Sequence, residues 1–132
     1  MSDCKVLVVE DDTDSREAML EVLSYEGYCV QGATNGRDAL NVLRSGRFSP
    51  DVIVVDLYMP AMDGNELRLA LRDDSRFAAI PVIVCTGDSP QAVSPGAFGT
   101  LQKPVDIDSL TAIVHSGCAS RGYSPRKQAR AV

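Results

Sequence analysis

The chain contains no tryptophan and one histidine, His115. With a single imidazole, a His-built metal cage or a Ser-His-Asp triad has almost nothing to draw on, and His115 is expected on an ordinary helix face. The four cysteines, Cys4, Cys29, Cys85 and Cys118, include no C-x-x-C pair. Scattered in this way, with Cys29 and Cys85 in strand-like apolar surroundings, they are expected as buried thiols of a reducing cytosol and not as disulfides. Long apolar runs are also missing. The longest are strand-sized, well short of a membrane span, and the opening Met-Ser-Asp-Cys-Lys lacks the apolar block of a secretory signal, so the expected location is cytoplasmic, with no membrane insertion. Nor is there an excess of positive charge. Lys and Arg number 13 against 18 Asp and Glu, and the net charge of −5 argues against a nucleic-acid-binding body. Only 121-RGYSPRKQARAV-132 reverses the sign, with Arg121, Arg126, Lys127 and Arg130. Residues 120–132 are expected as a basic, flexible tail, with a docking arm as the alternative.

What is present points to one globular domain. The length of 132 residues suffices for a core without staples, and 45% apolar with 23% charged residues are ordinary globular proportions. Short apolar β-branched runs at 5-KVLVV-9, 28-YCVQGA-33, 51-DVIVV-55, 81-PVIVCT-86 and 99-GTLQK-103 read as strands. Between them the period changes to that of a helix. Ala18, Met19, Val22 and Leu23 mark a helix over 14–26, with Asp14 and Glu17 as a capping box and Gly27 as its stop. Ala39, Leu40 and Leu43 mark one over 36–46, and Leu67, Ala70 and Leu71 one over 65–72. Ile107, Leu110, Ile113 and Val114 mark the last, over 106–117. Strands apolar on both faces, alternating with amphipathic helices, predict an α/β domain with a doubly wound parallel sheet covered on each side.

In such sheets ligands gather at the carboxyl ends of the strands. The first strand delivers Glu10, Asp11 and Asp12 there, the third Asp56, the fourth Thr86, and the fifth Lys103 followed by Pro104. Asp12 or Asp14 is expected as a helix N-cap. If the first and third strands are neighbours, the remaining carboxylates converge, and like charges that close call for a cation. Oxygen-only ligands select a hard ion such as Mg²⁺, and Lys103 adds a fixed ammonium. An ion, a lysine and a hydroxyl around one carboxylate form a cradle for phosphoryl oxygens, with the carboxylate as nucleophile.

Through 7-LVVEDD-12 with Arg16, 56-DLYMPAMDG-64, 82-VIVCTGD-88 and 101-LQKP-104, residues 5 to about 118 resemble the receiver domain of two-component response regulators, of the stand-alone, CheY-like type. The resemblance implies a five-stranded sheet of flavodoxin-like order 2-1-3-4-5, with a receiver spanning 1–119. It implies Asp56 as phospho-acceptor, Asp11 as a direct Mg²⁺ ligand, Glu10 as a ligand through water, and the main-chain carbonyl of Tyr58 as a further ligand. Thr86 would contact the phosphoryl oxygens, Lys103 would pair with them, and the Lys103–Pro104 bond would be cis. The phosphoryl group would come from a histidine kinase or a histidine phosphotransfer protein, and the signal would pass by altered docking to an effector. Such a receiver assists its own phosphorylation and dephosphorylation without being a multiple-turnover enzyme.

The sequence departs from the family pattern in two places. Thr100 stands where the aromatic switch residue is expected, with Phe98 two positions earlier. The interval between Thr86 and Lys103 is short and rich in Pro and Gly, so the helix between the fourth and fifth strands is expected to be short, a single turn or missing. In the family the positions held here by Tyr58 and Asp88 flank the path of hydrolytic water. These departures keep a second reading open, a pseudo-receiver that docks partners without phosphorylation. A haloacid-dehalogenase-like phosphatase would want a second Asp where Tyr58 stands. Flavin binding would want a hydroxyl-rich phosphate loop after the first strand, which is absent.

Overall fold

The computed structural model describes residues 3–57, 62–87 and 96–123. Strand β1 (Lys5–Val9) leads into helix α1 (Thr13–Tyr25), then β2 (Cys29–Ala33) into α2 (Gly36–Ser45). Strand β3 (Val52–Asp56) precedes α3 (Gly64–Arg72), and β4 (Val82–Thr86), β5 (Gly99–Gln102) and α4 (Ile107–Ser120) follow. All pairings are parallel and the sheet order is β2-β1-β3-β4-β5, as expected. Four helices lie among the described residues. The expectation of a short or missing helix between β4 and β5 falls on residues 88–95, outside the described ones, as do the residues of the basic tail after Tyr123.

Every residue of β3 and β4 is buried, which is what unbroken Val/Ile runs require of interior strands with helices on both faces. Strand β2 is an edge and buries only Ala33 fully, which accounts for its weaker apolar pattern. Leu7, Val9, Ile53 and Val55 face one core layer with Leu40, Leu43, Leu67 and Leu71 of α2 and α3. Val6, Val8, Val52 and Val54 face the other, with Met19 and Leu23 of α1 and Leu110 and Val114 of α4. Two residues placed inward by periodicity are exposed instead: Ala18, and Ile107, which lines a groove with Tyr25 between the end of α1 and the start of α4. The first helix is capped by Asp12, whose side chain accepts from Ser15 N at 2.8 Å, and not by Asp14. The capping box belongs to α3, between Asp63 and Glu66.

The cysteine expectation is corrected. Cys4 and Cys118 form a disulfide with Cα atoms 6.1 Å apart. Cys4 continues the Val6, Val8 alternation onto the α1/α4 layer, and the last turns of α4 bring Cys118 to the same place. Cys29 is exposed on the edge strand, while Cys85 is a buried thiol. Burial pushes the Cys85 thiol up to about 12, far from the thiolate that reacts. Under native, non-reducing conditions iodoacetamide should therefore label Cys29 alone, with Cys85 following on denaturation and Cys4 and Cys118 only after reduction. Peptide mass mapping checks this, and native labelling of Cys85 would contradict it.

Candidate functional site

Strand register builds the site. Val9 pairs with Val55, so Glu10 and Asp56, each the next residue, leave the sheet at the same height. Asp56 pairs with Cys85, so Thr86 follows one position further along the adjacent strand. Lys103 leaves β5 next to it, its amide donating to the Thr86 carbonyl at 2.8 Å. The Lys103–Pro104 bond is cis, as the resemblance implied.

At this edge Lys103 Nζ lies 3.0 Å from Asp56 Oδ2 and 3.2 Å from Glu10 Oε1. Glu10 is 1% exposed and Asp56 6%. Two carboxylates so buried repel each other, and a shared ammonium is the fixed charge that offsets the repulsion. The lysine responds in kind. Its burial would lower its affinity for a proton, but hydrogen bonds to Asp56 and Glu10 and their charges outweigh this and hold it above the ordinary lysine range.

Carboxylate oxygens of Glu10, Asp11 and Asp56 all lie within 4.8 Å of one another, with Asp11 on the exposed side. Hard oxygen donors at this spacing fit a divalent ion that retains waters. Glu10 has both oxygens engaged, Oε1 with Lys103 and Oε2 with Asp12 N at 3.1 Å, which suits an outer role better than direct coordination. Asp12 itself points to its cap: the hydrogen bond from Ser15 N holds its carboxyl below the usual range. It stands outside the cluster, as expected.

Thr86 is fully buried at the end of β4. Phe98 is 41% exposed just ahead of β5, its amide donating to the Val82 carbonyl, and Thr100 lies half-buried in the strand. Tyr58 and Asp88 lie outside the described residues, and with them the carbonyl ligand. Two contributors carried no assigned role in the sequence. Arg16 reaches back from α1 to the Glu10 carbonyl at 2.8 Å, fixing the turn that presents the acids. Gly64 starts α3 against the last peptide of β3, where an added Cβ would sit 2.7 Å from the Asp56 carbonyl oxygen. The signals for both were present, a basic residue shortly after the acidic run and a glycine closing 56-DLYMPAMDG-64.

The chain matches the family model for the response regulator receiver domain over residues 6–115. It is 36% identical over 113 residues to "Response regulator MprA" of Mycolicibacterium vanbaalenii, covering 82% of this chain and 47% of that protein. It is 34% identical over 114 residues to "Probable transcriptional regulator ycf29" of Porphyra purpurea, covering 83% and 54%. The chain thus spans about half the length of these curated relatives. Among solved structures it resembles the chemotaxis response regulator CheY4 of Vibrio cholerae, with a TM-score of 0.80, 33% identity, and coverage of 88% of this chain and 99% of that one. A response regulator receiver protein from Pseudomonas putida aligns with a TM-score of 0.78 at 30% identity over 88% of this chain and 98% of that one. The sheet order, the acidic edge with its lysine, and these matches agree: the chain belongs to the response regulator receiver domain family.

Proposed function

We propose that this chain is a phospho-accepting receiver whose reactive group is Asp56, charged by the phospho-His of a histidine kinase or a histidine phosphotransfer protein. The observation that carries the reading is Lys103 Nζ set between Asp56 and Glu10 at 3.0 and 3.2 Å, on groups that only the folded sheet brings together. An Asp56 oxygen attacks phosphorus, the bond from phosphorus to the donor nitrogen breaks, and the imidazole leaves with that electron pair, giving an acyl phosphate. Lys103 pairs with the arriving phosphoryl oxygens and the Thr86 hydroxyl donates to them. Asp11 and Asp56 would hold a Mg²⁺ ion, with Glu10 acting through a water and, as the family resemblance implies, the Tyr58 main-chain carbonyl as a further ligand; bound there, the ion would supply positive charge to offset that of the phosphoryl group.

The receiver is placed at residues 1–119 and the basic tail at 120–132, although Ser120 still belongs to α4 and the Tyr123 hydroxyl is held by Asp51. The setting is the cytoplasm, the product is a change in docking to an effector protein, and external substrates are not turned over. No helix among the described residues is long and apolar enough to cross a membrane. A pseudo-receiver that docks without phosphate draws support from one feature, the exposed Phe98 and the Thr100 in place of an aromatic switch.

Acetyl phosphate with Mg²⁺ separates the two. The receiver should gain about 80 Da in intact mass, one phosphoryl group, and the gain should vanish in Asp56→Asn. No gain from acetyl phosphate or from any phospho-His donor would leave the pseudo-receiver standing.

A further inference from the structure

We propose that Cys4 and Cys118 are a reversible redox site, a dithiol–disulfide pair that exchanges with small disulfides of the glutathione class and fastens the last helix to the sheet. The pair lies at the end of the sheet opposite the acidic edge, since Cys4 precedes β1 while Glu10 follows it. It goes beyond the phospho-accepting reading and does not depend on it.

The surroundings of the pair form a closed latch. Tyr123 N donates to the Cys118 carbonyl at 3.2 Å. The Tyr123 hydroxyl donates to Asp51 Oδ2 at 2.8 Å, and the same oxygen accepts from Lys5 N, next to Cys4, at 2.9 Å. Beside Cys118, Gly117 lies so close to the sheet that a Cβ there would meet Val52 Cγ2 at 3.0 Å. The sulfur bond therefore closes a circuit joining the start of β1, the residue before β3 and the end of α4.

Position makes this pair exchangeable. The two residues are 2% and 4% exposed, so neither sulfur meets a reagent while the latch is shut. Yet Cys4 is the residue before a strand, and Cys118 stands two positions before the last helical residue, Ser120. Such ends open locally at little cost while the interior strands stay paired. Cys85, on the fully buried interior strand β4, has no such route. Cys29 pairs in register with Lys5 and so projects to the opposite face from Cys4, which leaves Cys118 a single partner.

In the forward step one cysteine thiolate attacks the small disulfide, forming a mixed disulfide and releasing one small thiol. The second thiolate then displaces the other, so the protein pair loses two electrons and two protons while the small disulfide is reduced to two thiols. Reduction runs the same steps in reverse.

The full chain equilibrated in mixtures of reduced and oxidised glutathione, acid-quenched and alkylated, tests the proposal. Peptide masses should show the Cys4–Cys118 pair passing reversibly between dithiol and disulfide under native conditions, with Cys85 a thiol throughout. Amide hydrogen exchange over residues 114–123 should slow by about tenfold or more on oxidation. Cys118→Ser should exchange at the reduced-state rate in every buffer, and Cys4→Ser supplies the same comparison if that variant folds poorly. Tyr123→Phe, which keeps both sulfurs, should make the pair easier to reduce. A dithiol that persists in excess oxidised glutathione overturns the proposal, as does a disulfide reducible only in denaturant or equal exchange in the two states. Phosphorylation of Asp56 is read in parallel by intact mass: a chain that toggles without accepting phosphate sinks the receiver reading alone.

Discussion

Lys103→Met should slow phosphorylation by acetyl phosphate by about 10²–10³-fold, the usual cost of removing one preorganised charge stabiliser. It should also destabilise the metal-free protein. Glu10 and Asp56 are almost wholly buried and share this one ammonium. Stripping the partner from a buried charge costs about 3–5 kcal/mol. Because the Lys103 side chain is 34% exposed, solvent screening reduces the expected loss to about 2 kcal/mol. The sign of the pH dependence follows from the raised proton affinity of Lys103. Its contribution is fully present below the ordinary lysine value of 10.5 and is lost as pH rises through the higher folded-state value. As far as the lysine's own titration goes, wild type and variant should therefore converge in stability in strongly alkaline solution. Mg²⁺ should bind the variant more tightly, since one cation no longer opposes the other, and should restore part of the lost stability. Denaturant melts with and without Mg²⁺ check both points. A variant as stable as wild type without metal would show that the two carboxylates do not need the lysine.

Gly64→Ala is expected to damage the site without touching any charged group. The added Cβ would lie 2.7 Å from the Asp56 carbonyl oxygen and 3.0 Å from Leu57 Cα. Both are main-chain atoms at the end of a fully buried strand, so no flexible side chain can give way. Either the first turn of α3 lifts or the last peptide of β3 shifts. Overpacking of this kind costs about 1–3 kcal/mol, and displacement of a reacting group by about 1 Å costs about 10²-fold in rate. Gly87→Ala is the matched control: an added Cβ there meets nothing within 4 Å, and its stability should stay within about 0.5 kcal/mol. Equal melts for the two variants would contradict the close packing.

Much of this was legible in the chain because interior parallel strands write their burial directly as β-branched runs. Val52 to Val55 left little choice about β3, and the acid after them little choice about where chemistry sits. Periodicity was less reliable at element ends. Ile107 repeats correctly with Leu110 and Val114, but it is the first residue of its helix and remains exposed. Asp14 and Glu17 have capping-box spacing, but Asp12 is the residue that caps, because α1 begins at Thr13. The Cys4–Cys118 bond was out of reach for a different reason. Its partners are 114 positions apart, and their meeting depends on which face α4 covers, which local pattern does not encode. The double engagement of Lys103 with Asp56 and Glu10 required the register of four strands at once, β1, β3, β4 and β5.

The residues around Asp56 come from the ends of four strands, and Glu10 and Lys103 are 93 positions apart. No hairpin or single βα unit brings Asp56, Lys103 and the acids after β1 together. Contacts of such long range form late, after most of the chain entropy has been surrendered. On the proposed function, uptake of a phosphoryl group would consequently report completed assembly, and a nascent or half-closed chain would stay silent to its donor until the last strand has joined the others.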